Sequence, residues 1–461
     1  MYEPKVLNGR SIVLYGAGND GALVMYFIDV LKIHVDFCVA QTGDILLYGE
    51  DNNKQIIVHR PEILDKDKHF VIVASRKFYH EMERFLNKAG FLKDSDYLVW
   101  SPNHYENEDY VFDTLSAISP LSEEELSSMI YYSCIHLQSC LYMNSDTKNG
   151  FFAEFCCGFI GDNNFSGVPR VEYEGNTDKF VNDILKTKSE LIDSLRTNYG
   201  SESSLCGDNP CVGCSAVKRG IWPRHNKFYH MDFCLYPSPC NLRCIYCFYS
   251  KDGFQRFKTF DENFPIIASN VADCLRNKDL FARNFYFAVS PGEITINPLK
   301  EVYYKATEGY PTRFKTNATV FDEYIAKKLT DGKSDVYVSI DAGTNDTYAK
   351  IKGGDLFERV RANLKKYSES GNVVLKYILV YGVNDNSKDY EGIINLCREL
   401  GLSKIEITMD AFASMSETYF DLTQNLIEFA KQLSDSGIEA YGWEYFITPE
   451  ARRQIAMALN K

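Results

Sequence analysis

No stretch of this 461-residue chain comes near the roughly 18 consecutive apolar residues that a membrane-spanning helix needs. The opening "MYEPKVLNGR" has no apolar core of the kind a secretory signal carries, so the expected location is the cytoplasm, with no membrane partner. Basic residues are in deficit too: 50 Lys and Arg against 63 Asp and Glu leave a net charge of −13. General nucleic-acid binding relies on excess cationic surface to neutralise phosphates, so no nucleic-acid partner is expected; only a local basic groove stays open. Low-complexity tracts are absent, and the composition, 45% apolar and 25% charged, suits two or three globular domains.

Cysteine is the opposite case, with fourteen. A reducing compartment does not sustain a disulfide framework, so metal binding is the better explanation for those that cluster. Cys206, Cys211 and Cys214 share one loop-like stretch, followed by Cys234, Cys240, Cys244 and Cys247, while Cys156 and Cys157 stand adjacent upstream. Cys38, Cys134, Cys140, Cys274 and Cys397 are scattered and read as buried apolar thiols.

The N-terminal "SIVLYGAGNDGALVMYFIDVL" reads as strand, glycine turn and helix, with Gly16, Gly18 and Gly21 spaced G-x-G-x-x-G. "HVDFCVA", with Asp36 near its start, and "HFVIVAS" read as further strands of a Rossmann-like domain over residues 1–105. The glycines either hold a nucleotide phosphate at the helix N-terminus or allow tight strand–helix packing. Residues 106–150 read as a connector, 151–228 as a cysteine-rich segment and 446–461 as a C-terminal helix. Between them, over 229–445, strands at 229–236, 284–290, 312–318, 335–341, 373–380 and 404–410 alternate with helices, and "IEAYGWEYF" reads as a closing strand. Repeated βα units imply a parallel sheet curled into a full or partial barrel, with ligands at the carboxyl ends of the strands.

"CNLRCIYC" (240–247) follows the first of these strands. Three thiolates on a short loop can hold three irons of a [4Fe–4S] cluster and leave the fourth open. An open iron can chelate an amine and a carboxylate, which the amino-acid end of S-adenosylmethionine (SAM) supplies. The competing reading is zinc bound by the three cysteines and His230 on the preceding strand, although zinc loops usually come as C-x2-C pairs.

The spacing C-x3-C-x2-C, with the aromatic Tyr246 before the third cysteine, resembles the radical SAM superfamily. The resemblance implies an α/β fold: a partial (β/α)6-type barrel preceded by the Rossmann-like domain and the cysteine-rich segment. It also implies reductive cleavage of SAM to a 5′-deoxyadenosyl radical that abstracts hydrogen from substrate. A reductant such as flavodoxin or ferredoxin is the implied partner. "SPGEITINP" resembles the family's G-G-E element, with Gly292 and Glu293 retained and Pro291 in place of the first glycine; Glu293 would accept the SAM ammonium. "KTNA" resembles T-N-G and puts Thr316 and Asn317 near substrate or ribose. "VSIDAGTNDTYAKIKGG" resembles the V-S-I-D-A stretch of peptide- and protein-modifying members and their relatives; Ser339 and Asp341, on one strand face, would contact the ribose or the reaction site. Lys352 stands where that subgroup often has arginine and would pair with the SAM carboxylate; Lys376 is a second cationic candidate.

Relatives with V-S-I-D-A often carry auxiliary [4Fe–4S] clusters in an appendage after the barrel, but no cysteine follows Cys397 here. A second cluster would therefore precede the barrel, on Cys206, Cys211 and Cys214 with a fourth ligand from Cys156, Cys157 or Cys234; zinc and free thiols are the rival readings. The N-terminal domain resembles those found beside sugar-modifying activities and favours a carbohydrate or nucleotide-linked substrate, whereas V-S-I-D-A favours a peptide. A non-enzymatic iron–sulfur redox sensor or binding protein is the alternative from another class.

Overall fold

A computed structural model describes residues 7, 9–48, 54–75, 78–101, 104–105, 108–146, 150–156, 169–198, 211, 217–222, 227–236, 238–247, 261–290, 292–410, 418–442 and 454–455. Cys157, Cys206, Cys214 and Pro291 lie outside these residues, as does the expected C-terminal helix apart from residues 454–455. The chain forms two units, one of residues 1–134, 192–212 and 217–225, the other of residues 135–191, 213–216 and 226–461.

The first unit is built on β1 (Ser11–Tyr15), β2 (Phe37–Val39), β3 (Ile45–Tyr48), β4 (Lys54–His59), β5 (His69–Val73), β6 (Tyr97–Ser101) and β7 (His104–Tyr105), in the order β3-β4-β2-β1-β5-β6-β7. The five strands from β4 to β6 are parallel, and β3 and β7 pair antiparallel at the two ends. "SIVLY" and "HFVIV" are continuous apolar runs because both sheet faces are covered. Ile12, Leu14 and Ile72 pack with Val24 and Ile28 of the helix Asn19–Val30; Val13, Val71 and Val73 pack on the other face with Tyr79 and Leu86 of the helix Tyr79–Lys88. The strand order reverses direction between β1 and β5, where doubly wound sheets open their crevice.

Within the expected connector, residues 108–146 form helices and strands. Helices Glu108–Ile118 and Glu123–Met129 lead into β8 (Ile130–Ser133), and Ser122 and Glu125 form a reciprocal capping box at the second helix. β8 pairs antiparallel with β12 (Lys218–Ile221), deep in the expected cysteine-rich segment.

The second unit's sheet begins well before residue 229. It contains β9 (Cys140–Asp146), β10 (Gly150–Glu154), β11 (Arg170–Glu172), β13 (Phe228–Phe233), β14 (Phe281–Val289), β15 (Thr312–Thr316), β16 (Asp335–Ser339), β17 (Asn372–Leu379), β18 (Lys404–Met409) and β19 (Glu439–Tyr441). The order is β11-β10-β9-β13-β14-β15-β16-β17-β18-β19, parallel from β9 onward, with β10 and β11 as an antiparallel edge. Every strand expected between 229 and 410 is present, and "IEAYGWEYF" supplies β19. Periodicity missed β9 among others, because its parallel partner β13 lies far downstream. The Tyr441 and Tyr337 hydroxyls meet at 3.1 Å although β19 and β16 are three strands apart. A flat sheet would separate those strands by about 14 Å, so this sheet curls into a partial barrel around that face.

Candidate functional site

The cysteine loop leaves the end of β13 and is tied to three neighbouring strand ends. Behind β14, Glu293 N donates to Pro239 O at 2.7 Å. Gly292 has φ +55°, and a Cβ there would lie 2.4 Å from the same carbonyl oxygen, so only glycine lets the two loops close. Behind β15, Asn317 Nδ2 donates to Asn241 Oδ1 at 2.9 Å, and Asn241 Nδ2 donates to Thr319 Oγ1 at 2.8 Å. Behind β16, the helix Asn345–Lys352 offers its last carbonyls: Arg243 N donates to Lys352 O and Ile245 N to Ile351 O, both at 3.0 Å. These are acceptors a helix C-terminus leaves open, and Gly353, at φ +75°, ends the helix there.

Tyr246 makes the fourth tie, and it goes through buried charge. Its hydroxyl donates to Asp341, Lys352 Nζ bonds Asp341 and donates to the Tyr246 hydroxyl at 2.9 Å, and Ile378 N donates to Asp341 Oδ1 at 2.7 Å. Lys352 and Asp341 are 1% and 0% exposed, so the pair is sealed from solvent. Burial alone would lower the Lys352 ammonium; Asp341 outweighs it and holds its pKa above the ordinary value. Burial pushes the Cys244 thiol up, and the nearby Lys352 charge acts in the opposite direction. Lys352 is therefore placed behind the loop, bound to Asp341, rather than free at the mouth of the sheet.

Glu293 is 1% exposed. Its Oε1 accepts from Thr295 N at 3.1 Å, Thr295 Oγ1 at 2.7 Å and Thr316 Oγ1 at 2.6 Å, and its Oε2 accepts from Asn317 N at 2.5 Å. Burial nevertheless keeps its pKa above the usual carboxylate range. Among the described residues Oε2 carries a single donor and keeps an acceptor position for a cation. Thr316 and Asn317 thus hold Glu293 and the cysteine loop, and Ser339 ends β16 in register with Lys376.

Apart from Lys376 and Cys234, sequence reasoning missed the wall just beneath these loops. Ser290 Oγ donates to Asp232 Oδ1 at 2.7 Å, Lys315 Nζ donates to Asp232 Oδ2 at 3.2 Å, and Cys234 Sγ lies 3.5 Å from Ser290 Oγ. Lys376 pairs with Glu406 at 3.2 Å. Alternating charge in "TRFKT" and "KIEITM" was the available signal. His230 stacks on Tyr286 at 4.5 Å, and burial lowers its pKa to about 4.

Three thiols on a braced loop, with a cation behind Cys244, are a donor set suited to an iron–sulfur cluster. Among the described residues, no group of three or more His, Cys, Asp or Glu side chains is arranged to hold a single metal ion. Cys156 and Cys211 are both partly exposed; they fall in different units.

In the first unit, a Cβ on Gly16 would stand 2.5 Å from Ala74 O, and one on Gly21 2.0 Å from Gly16 O. Packing alone therefore requires both glycines. Gly18 faces open space at the helix N-cap. The Asp36 carboxylate accepts from Ile12 N at 3.2 Å and ties β1 to the start of β2.

Residues 238–397 match the family model described as Radical SAM superfamily. An uncharacterized protein of Methanocaldococcus jannaschii is 25% identical over 211 residues, covering 45% of this chain and 64% of that protein. A probable GTP 3′,8-cyclase of Methanococcus aeolicus is 26% identical over 207 residues, 42% of this chain and 64% of that protein. The chain thus spans 64% of the length of these two curated relatives. Among solved structures, SuiB of Streptococcus suis bound to S-adenosylmethionine superposes with a TM-score of 0.37 at 13% identity, over 59% of this chain and 56% of that one.

Proposed function

We propose, on the premise that residues 238–397 belong to the radical SAM superfamily, that this chain is an enzyme binding a [4Fe–4S] cluster through Cys240, Cys244 and Cys247. The observation that carries this is the cysteine loop itself, tied to the ends of β14, β15 and β16 by Glu293, Asn317 and Lys352. When bound and reduced, the cluster supplies one electron for cleavage of SAM to a 5′-deoxyadenosyl radical that abstracts hydrogen from substrate.

The residues of the chain bind and orient. Glu293 Oε2 accepts the SAM ammonium, held in place by the Thr316 hydroxyl and the Asn317 amide. Lys352 and Asp341 fix Tyr246 and with it the end of the loop, and Lys352 adds positive charge behind the Cys244 thiolate. Ser339, in register with Lys376, faces the ribose or the reacting group. An external reductant of the flavodoxin or ferredoxin kind delivers the electron, and the enzyme works in the cytoplasm.

For the substrate we favour a carbohydrate or nucleotide-linked small molecule over a peptide. The first unit's parallel sheet, with its reversal beside the glycine turn, supports this. So does the curated relative whose name gives GTP as its substrate. The deciding experiment is anaerobic reconstitution, iron and sulfide counting, and assay for 5′-deoxyadenosine with SAM and dithionite. Product is expected from the wild type and none from Cys244→Ala. About four irons per chain indicate one cluster and about eight a second on the upstream cysteines. A fully loaded, reduced protein that forms no 5′-deoxyadenosine would favour the redox-sensor reading instead.

A further inference from the structure

The inner face of a parallel βα barrel is ordinarily filled by branched apolar side chains in layers. Here that face carries ion pairs: Lys315 with Asp232, Arg313 with Asp335, and Lys376 with Glu406. In each pair the cation is the more exposed partner. The side-chain exposures are 48% against 3% for Lys315 and Asp232, 34% against 22% for Arg313 and Asp335, and 29% against 15% for Lys376 and Glu406. The carboxylates are thus built into the wall and the cationic heads stand out from it.

The most one-sided pair is also the best braced. Asp232 is fixed by Ser290 on one oxygen and Lys315 on the other, and its pKa stays below the ordinary value despite burial because of Lys315. An ammonium has three donors, and Lys315 uses one on Asp232. Lys315 lies near the end of β15, two residues before Asn317 in the loop that follows the strand. Lys376 is in register with both Ser339 and Glu406, two residues beyond the level of Tyr337 and Val374 that Lys315 shares. On the same face of β18, two residues past Glu406, the Thr408 hydroxyl is buried and has no hydrogen-bond partner among the described residues. A buried hydroxyl left unpaired in the wall of a polar lumen is a group a ligand would satisfy.

We infer that this lumen binds the substrate, and that the substrate is a small hydrophilic molecule bearing an anionic group, phosphate or carboxylate, which Lys315 and Lys376 hold beneath the SAM site. The inference rests on the radical SAM reading and adds the substrate class to it. The overall charge of −13 gives no such preference, so the selectivity is local to the barrel.

The test is calorimetric titration of the full-length, cluster-loaded protein with inorganic phosphate, glucose 6-phosphate and glucuronate, with neutral glucose as control. At least one anion is expected to bind, with glucose silent. Binding should weaken at least about tenfold in Lys315→Met and in Lys376→Met, the loss expected for one charge-assisted hydrogen bond. Binding by the two phosphates alone assigns phosphate; binding by glucuronate alone assigns carboxylate. Lys315→Met strands a buried carboxylate, so Asp232→Asn/Lys315→Met, which removes both charges, should fold and show the same loss. Glucose binding as tightly as the anions, no anion binding at all, or unchanged affinity in both lysine variants would overturn the inference. Failure of the parent reading is distinguishable: 5′-deoxyadenosine formed without anion binding keeps the reaction and removes this substrate class. Anion binding without 5′-deoxyadenosine keeps the site and removes the reaction.

Discussion

The sheet of the first unit is apolar on both faces, whereas the sheet of the second is apolar on one face and charged on the other. In β1, alternate residues Ile12 and Leu14 enter one core while Val13 and Tyr15 enter the other. In β18, Ile405, Ile407 and Met409 are buried while Glu406 on the opposite face pairs with Lys376. A parallel sheet covered by helices on both sides is a scaffold, and its chemistry is confined to loops at the strand ends. One that curls leaves an inner face free of helices, and that face is open to ligands. The glycines follow the same division. Gly16 and Gly21 are required by strand–helix contact within the scaffold, while Gly292 is required where one functional loop meets another.

The comparison breaks most sharply at buried charge. Lys352→Met should cost about 3–5 kcal/mol, because Asp341 is then buried without a partner. Lys352→Met/Asp341→Asn should recover much of that loss. In the first unit Arg10 and Asp96 are 11% and 16% exposed, so Arg10→Met should cost distinctly less. Denaturant unfolding of the three variants checks the ranking, and equal losses for Lys352 and Arg10 would contradict it.

Lys188 is the contrasting cation in the second unit. It is buried over the Phe228 ring at 4.4 Å, its Nζ has no hydrogen-bond partner among the described residues, and burial lowers its pKa to about 8. Between about pH 8 and its unfolded value of 10.5, the unfolded chain holds a proton that the folded chain has released, so stability rises with pH through that window. Below pH 8 the full penalty applies. Lys188→Met should therefore stabilise the protein at pH 7, by on the order of 3 kcal/mol, with the gain shrinking as pH approaches 10.5. Unfolding at pH 7 and pH 10 reads this directly; a gain that grows with pH has the wrong sign.

Smaller effects separate the glycines. Gly21→Ala places a Cβ against the Gly16 carbonyl and should cost about 1–3 kcal/mol. Gly18→Ala meets nothing within 4 Å and should cost about 1 kcal/mol or less, the difference between glycine and alanine at an N-cap. Thermal unfolding that ranks Gly18 above Gly21 would mean the turn is not held by packing.

Most of the second unit is legible in the chain itself, because β13 to β18 are apolar runs or alternations punctuated by amphipathic helices. The three-cysteine loop after β13 and the glutamate turn after β14 are legible for a related reason: each is a short contiguous motif, and a contiguous motif is local information. The braces are not. Asn241 meets Asn317 across 76 residues, and Tyr246 meets Lys352 across 106. By position alone Lys352 reads as a ligand for SAM, whereas its buried bond to Asp341 puts it behind the loop. β9 escapes because a strand's parallel partner, here β13, lies far downstream. The charged lumen is visible in "TRFKT" and "KIEITM", but without a curled sheet there is no inside for those residues to face.

The most direct measurement is the electron paramagnetic resonance spectrum of the reconstituted, dithionite-reduced protein, recorded with and without SAM. A cluster held by Cys240, Cys244 and Cys247 with one open iron predicts a spectrum that changes when SAM is added, and a weaker response in Glu293→Gln. A fully loaded, reduced cluster whose spectrum is unmoved by saturating SAM would contradict it.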